Sequence, residues 1–224
     1  MKKQIRLLVE NLFDDEFNII YNDTNLDTEI TDEFINNYKV GDIYYKDKKP
    51  YAICCGDKKY FSNNSPRFIP INIKLNSVRW TTSRLITKKL KRHEIPNHFI
   101  YSDNNNIYKL FDDNGYENTQ IIKNKCNLNS YPIFKYICDL GDDYYLPAVD
   151  ELKIFGLNIN KFNFIIGNTR SSRDCVDFMS STVINDKNIA LLTIGINKYT
   201  LIINSLNAFY TAIIFKYIPF INVN

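Results

Sequence analysis

Between residues 175 and 218 the chain carries four runs of apolar, β-branched and aromatic residues, at 175–179, 189–194, 199–203 and 209–218. Asn185 with Asp186, Gly195 with Asn197, and Asn204 with Asn207 supply turn-forming residues between them. That spacing predicts strands joined by short connections, an antiparallel meander. Such a sheet must bury one face, so other segments have to supply the cover.

Those segments read as two strands followed by helices. Residues 40–45 and 51–55 predict a pair of short strands around a turn at 46–50. Asp112, Asp113, Asn114 and Gly115 predict a turn, and Asn118 or Thr119 is the expected cap of a short helix running to Cys126. A second helix is expected after Ser130, with Pro132 in its first turn and Gly141 at its end. Its apolar positions Ile133, Tyr136, Ile137 and Leu140 recur at three- and four-residue steps. Pro147 holds the residues before it extended. Val149, Leu152, Ile154 and Phe155 then form the stripe of a third helix over 149–157. Strands, then helices, then a meander describe an α+β fold rather than a βαβ series.

The 224 residues, 45% hydrophobic and 24% charged, suit one globular domain with an extension and argue against a wholly disordered chain. Charge is unevenly distributed. Residues 1–37 hold Lys2, Lys3 and Arg6 against Glu10, Asp14, Asp15, Glu16, Asp23, Asp27, Glu29, Asp32 and Glu33, a net of −6. Within them Ile5, Leu8 and Leu12 form a short apolar stripe at helical spacing, too short to stand as an isolated helix. We therefore expect residues 1–38 to be an acidic docking arm and 39–224 the domain, with an enlarged middle at about 57–108. Arg6 and Glu10 interrupt the early apolar stretch and no small-residue cleavage site follows, so no signal peptide is expected. No run reaches the length of a membrane span. Five cysteines, two of them adjacent at Cys54 and Cys55, lack zinc spacing and read as reduced thiols.

Several motifs together carry a resemblance. Val40-Gly41-Asp42-Ile43-Tyr44-Tyr45 is similar to a "VGDxxY" opening, and Asp112-Asp113-Asn114-Gly115 through Thr119 resembles a "DG-x-x-NT" helix start. Tyr144-Tyr145-Leu146-Pro147-Ala148-Val149-Asp150-Glu151-Leu152 looks like "WYLPSxxEL". Phe178-Met179-Ser180-Ser181-Thr182 resembles "YWSST", and Phe215-Lys216-Tyr217-Ile218 resembles a closing "VRxV" strand. In this order they resemble the C-type-lectin-like domains related to the Lcl C-terminal domain. The resemblance implies short helices packed on a twisted antiparallel sheet, over roughly residues 40–218. It also implies a protein-binding, sugar-binding or formylglycine-generating role, since that superfold hosts all three.

The residues narrow this choice. The calcium-type sugar loop is broken at Glu94-Ile95-Pro96-Asn97, and the paired-cysteine copper site of the formylglycine enzymes has no counterpart. His93 and His98 are the two imidazoles, and no nucleophile, base and oxyanion set can be assembled. No catalytic residue, metal site or cofactor is therefore expected. The basic residues Arg79, Arg84, Lys88, Lys89, Lys91 and Arg92 read as a solvated face or a partner for the acidic arm, and lack nucleic-acid motif context. In the resembled family ligand-facing residues lie on the loop before the "SST" strand and on the last strands. Here that implies Arg170, Arg173, Asp174, Asn185, Lys187, Lys198 and Tyr199 as partner-binding candidates.

An attachment arm without a secretion signal suggests an accessory component of a phage virion, such as a capsid decoration, head fibre or tail part. Such a component belongs to a multimeric assembly, bound to other virion proteins through residues 1–37, with a host surface protein or glycan as a further partner. The alternative is a bacterial or cytoplasmic binding module of the same fold outside a virion. A formylglycine-type enzyme comes third.

Overall fold

The computed structural model describes residues 38–47, 49–71, 73, 76–82, 99–100, 109–110, 112–162, 175–185, 188–195, 199–205 and 208–218. The elements are β1 (Ile43–Lys46), β2 (Lys49–Gly56), β3 (Arg67–Pro70), β4 (Asn76–Arg79), β5 (Phe99–Ile100) and β6 (Lys109–Leu110). Helix α1 (Gly115–Lys125), α2 (Pro132–Leu140), β7 (Tyr144–Tyr145) and α3 (Val149–Leu157) follow. The chain then forms β8 (Cys175–Asn185), β9 (Asn188–Gly195), β10 (Tyr199–Ser205), β11 (Phe209–Ala212) and β12 (Phe215–Lys216).

Among the described residues the fold is α+β, with two five-stranded sheets. One runs β1-β2-β3-β12-β7 and the other β10-β9-β8-β11-β4, while β5 and β6 form a separate pair. The first sheet is antiparallel throughout. The second is mixed, because β11 lies parallel to β8 with Thr211 opposite Phe178.

That last pairing corrects one expectation. The run 209–218 is not a fourth meander strand but two short strands in different sheets. β8 already has β9 on one side, so the returning chain takes its free side as β11 and then crosses at Ile213 and Ile214 into the first sheet as β12. No turn residue marks the crossing because both isoleucines are buried, at 0% and 2% exposure, in opposite cores.

Alternation along β8 and β9 explains why these two strands serve two different cores. Met179 and Leu191 face one side with α1 and α2, around Trp80, Ile122, Ile133, Phe134 and Ile137. Phe178 and Leu192 face the other, with α3 and the first sheet, around Ile53, Ile69, Leu152, Phe155 and Phe215. Residues alternate between faces with period two, so an apolar strand covered on both sides reads as a continuous apolar run. The single tryptophan, Trp80, is fully buried; its indole nitrogen donates to the Ser180 carbonyl at 3.1 Å. Its ring meets Phe134 edge-on at 4.9 Å.

Helix α2 matches its expected span, with Pro132 at its first turn and Gly141 at its end. Gly141 has φ 130°, a conformation that favours glycine. Helix α3 also matches. Helix α1 starts three residues before its expected cap, since Asn118 and Thr119 lie inside it and are buried. Both have the side chains of good caps, but they bond to neighbouring elements instead.

Candidate functional site

The motif residues converge on a buried polar hub between α1, α3 and β8. Asp112, Asp113, Asn118, Glu151, Ser181, Thr182 and Arg67 are each at most 5% exposed. Asp112 receives hydrogen bonds from Asn118 Nδ2 at 2.9 Å, Thr182 Oγ1 at 2.8 Å and the backbone nitrogen of Asn114 at 3.1 Å. Asn118 Nδ2 also reaches Ser181 Oγ at 3.2 Å, so both of its amide hydrogens are used. The Asp113 carboxylate accepts from the backbone nitrogen and hydroxyl of Ser62. Thr119 Oγ1 accepts from the Leu146 backbone nitrogen at 3.0 Å.

The hub also solves a capping problem. The residue before α3 is Ala148, which has no side chain to satisfy the free N–H groups of the first turn. Three other residues satisfy them. Glu151 Oε2 accepts from Ala148 N at 2.8 Å, Thr182 Oγ1 from Val149 N at 2.9 Å, and the Asp112 carbonyl from Asp150 N at 2.9 Å. Strand β8 leaves its ladder with β9 between Met179 and Val183, which frees residues 180–182 for these contacts. Ser181 N donates to the Pro147 carbonyl at 2.8 Å within the same stretch.

Arg67 of β3 crosses to Glu151 in a buried ion pair. Its remaining nitrogens donate to the carbonyls of Ser65 at 2.8 Å and Asp113 at 2.9 Å, and the guanidinium lies 4.1 Å from the centre of the Phe61 ring. Burial pushes the Glu151 carboxyl up to about 7, against the pull of Arg67 and the Ala148 N–H. Gly115 packs so tightly here that a Cβ would fall 2.4 Å from Glu151 Oε2 and 2.5 Å from the Ala148 nitrogen. The hub's acids therefore spend their lone pairs on donors of the same chain, behind walls that leave almost no solvent contact. This is chemistry that holds loops together.

A second cluster lies on the outer face of the first sheet. Lys216, 4% exposed, forms an ion pair with Asp143 and lies 3.7 Å from the centre of the Tyr144 ring and 5.1 Å from that of Tyr51. Burial opposes its charge, yet hydrogen bonds to Asp143 and Tyr51 prevail and its pKa is raised. Tyr44 stands 6.1 Å from both Tyr51 and Tyr38, and Tyr38 meets Phe68 edge-on at 5.3 Å. Burial pushes the Tyr38 hydroxyl up to about 12. Tyr116 and Tyr217, which stack at 4.6 Å, pack instead against the inter-sheet core. The result is a patch of half-buried tyrosines, side chains that combine rigid apolar area with a polar tip.

Of the expected partner-binding residues, Arg170, Arg173, Asp174, Lys187 and Lys198 lie outside the described residues. Asn185 and Tyr199 are placed by backbone alone. Asn185 pairs with Asn188 at one end of β9, and Tyr199 with Ile194 at the other, so the sheet does not bring these two together. The arm residues Ile5, Leu8 and Leu12 and the basic residues Arg84, Lys88, Lys89, Lys91 and Arg92 also lie outside the described residues.

Sequence reasoning missed Arg67 and gave Lys216 no role beyond its place in a strand motif. The signal for each was a lone cation inside an apolar strand, Phe68 to Pro70 following one and Phe215 to Ile218 surrounding the other. Among the described residues there is no group of three or more His, Cys, Asp or Glu placed to hold a metal, and no helix long and apolar enough to cross a membrane. No family model matches the chain, and no curated protein or solved structure is significantly similar to it.

Proposed function

We propose that the chain is a non-catalytic, C-type-lectin-like binding and structural protein that serves as an accessory component of a phage virion. Residues 1–37 attach it to other virion proteins, and the domain presents a surface to a neighbour or to the host. One observation carries this reading. The residues of the quoted motifs, Asp112, Asn118, Glu151, Ser181 and Thr182, bond to one another or to the same short segments. Motifs that interlock in this way are framework motifs, and they support a lectin-like scaffold whose function lies in its surfaces.

Mass spectrometry of purified particles tests the proposal. Peptides of this chain at a constant ratio to the major capsid protein, retained through a density gradient and a salt wash, are the expected result. Their absence from particles of an infected culture that expresses the protein would overturn it. The tyrosine patch favours a second reading, a bacterial glycan- or protein-binding module outside any virion. Retention of the full chain on a glycan or host-surface array, with no presence in particles, would select that reading.

A further inference from the structure

Lys216 of β12 and Asp143, which precedes β7, are held together by the backbone as well as by their charges. The two strands pair antiparallel with Lys216 opposite Tyr144, and the Tyr217 nitrogen donates to the Asp143 carbonyl at 2.7 Å. The lysine side chain is 4% exposed and its amine contacts the Asp143 carboxylate, which keeps 42% of its own surface in water. Tyr51 and Tyr144 enclose the amine, and their hydroxyls hydrogen-bond to it and to each other. Lys123 is as deeply buried, but its amine is engaged by the carbonyls of Gly141 and Tyr144, at 3.1 and 3.5 Å. We propose that Lys216 and Asp143 join in an intramolecular isopeptide bond between Nζ and Cγ.

The reaction uses only atoms that the pair already holds. Within the contact the ammonium passes one proton to the carboxylate, leaving an amine beside a carboxylic acid. Nζ then attacks Cγ with its lone pair, the C–O bond breaks, and the hydroxyl departs as water with a second proton from Nζ. The third hydrogen stays on the amide nitrogen. One ammonium and one carboxylate become one amide and one water, with nothing oxidised or reduced and no co-reactant. The tyrosine hydroxyls both donate and accept, so they can carry the transferred protons. Burial around the lysine penalises its charge, which favours the neutral pair, and the exposed side of Asp143 gives the water its exit. Hydrogen bonds to Asp143 and Tyr51 hold most of the lysine as ammonium, so the step is slow. It has to occur only once in each chain, and well-oriented intramolecular groups react at effective concentrations of up to roughly 10⁵–10⁸ M. The bond closes residues 143–216 into a covalent ring, so β12 cannot be pulled away from β7. This inference does not depend on the virion reading.

Mass spectrometry of the full wild-type chain tests the proposal without relying on a variant that folds. Cooperatively melting protein, held folded for several days and then denatured, should be lighter than its sequence by the mass of one water. A tryptic digest should contain a branched peptide joining the segments that carry Asp143 and Lys216, with no cleavage after Lys216. The single variants Lys216→Arg and Asp143→Ala should each keep the full sequence mass. Wild-type protein that also keeps the full mass overturns the proposal. So does a lost water that maps to a cyclic imide at an aspartate while trypsin still cleaves after Lys216. A branched peptide found only in covalent dimers overturns it as well, since the bond would then join two copies.

Discussion

The hydroxyl of Thr182, in the middle of β8, accepts a hydrogen bond from the backbone nitrogen of Val149 at 2.9 Å and donates one to Asp112 at 2.8 Å. A strand residue thus caps a helix 33 positions earlier in the chain and ties it to the segment that opens α1. Replacing Thr182 by Val keeps the shape and removes both bonds, leaving a buried N–H and a carboxylate short of a donor. Chemical denaturation should show a loss of about 1–3 kcal/mol, and Thr182→Ser should recover most of it.

The ion pair between Arg67 and Glu151 is enclosed, so losing one partner strands the other. Arg67→Met should destabilise the domain by about 3–5 kcal/mol. Arg67→Met with Glu151→Leu should cost clearly less than the two single losses added together. A double-mutant cycle on urea midpoints measures the difference.

Glu151 also gives stability a pH dependence. Its folded carboxyl is raised by burial to about 7, above the ordinary value of 4.5, so between these values the folded state binds more protons than the unfolded one. Its contribution is therefore fully present below about pH 4.5 and is lost as the pH rises through 7. Melting temperatures taken from pH 5 to 8 should fall more steeply for the wild type than for Glu151→Gln, which cannot titrate.

Cys54 and Cys55 are both buried, and burial pushes the Cys54 thiol up to about 12. They point to opposite faces of the first sheet, Cys55 into the inter-sheet core and Cys54 under the tyrosines. Neither should react with a thiol reagent at neutral pH until the domain unfolds. Cys126 and Cys138 are half-buried and should label earlier.

Deleting residues 1–37 should leave the hub intact, since Arg67, Asp112, Asn118, Glu151, Ser181 and Thr182 bond to one another and to the start of α3. The truncated protein should melt cooperatively and fail to join particles. Circular dichroism and particle incorporation read the two outcomes separately.

How much of this was legible depended on whether the signal was local. The spans of α2 and α3 follow from Pro132, Gly141 and Pro147, each of which acts on its own neighbours. The start of α1 did not, because Asn118 and Thr119 spend their cap-like side chains on Asp112, Ser181 and Leu146. Arg67 was invisible for the same reason: its partner Glu151 lies 84 residues away. Lys216 was read only as the cation of the closing strand motif, and nothing in the linear pattern shows Asp143 and Tyr144 closing over it. The tyrosine patch draws on β1, β2 and β7, and only pairing of the strands assembles it.

The crossing at Ile213 and Ile214 has a consequence for synthesis. Without β11, strand β4 has no place beside β8; without β12, strand β7 has no place beside β3. Each sheet therefore stays split into two pieces until residues 209–216 have left the ribosome. The earlier strands wait with open edges until then, and both sheets close in one step. A ribosome stalled before residue 209 would hold a chain with neither sheet complete.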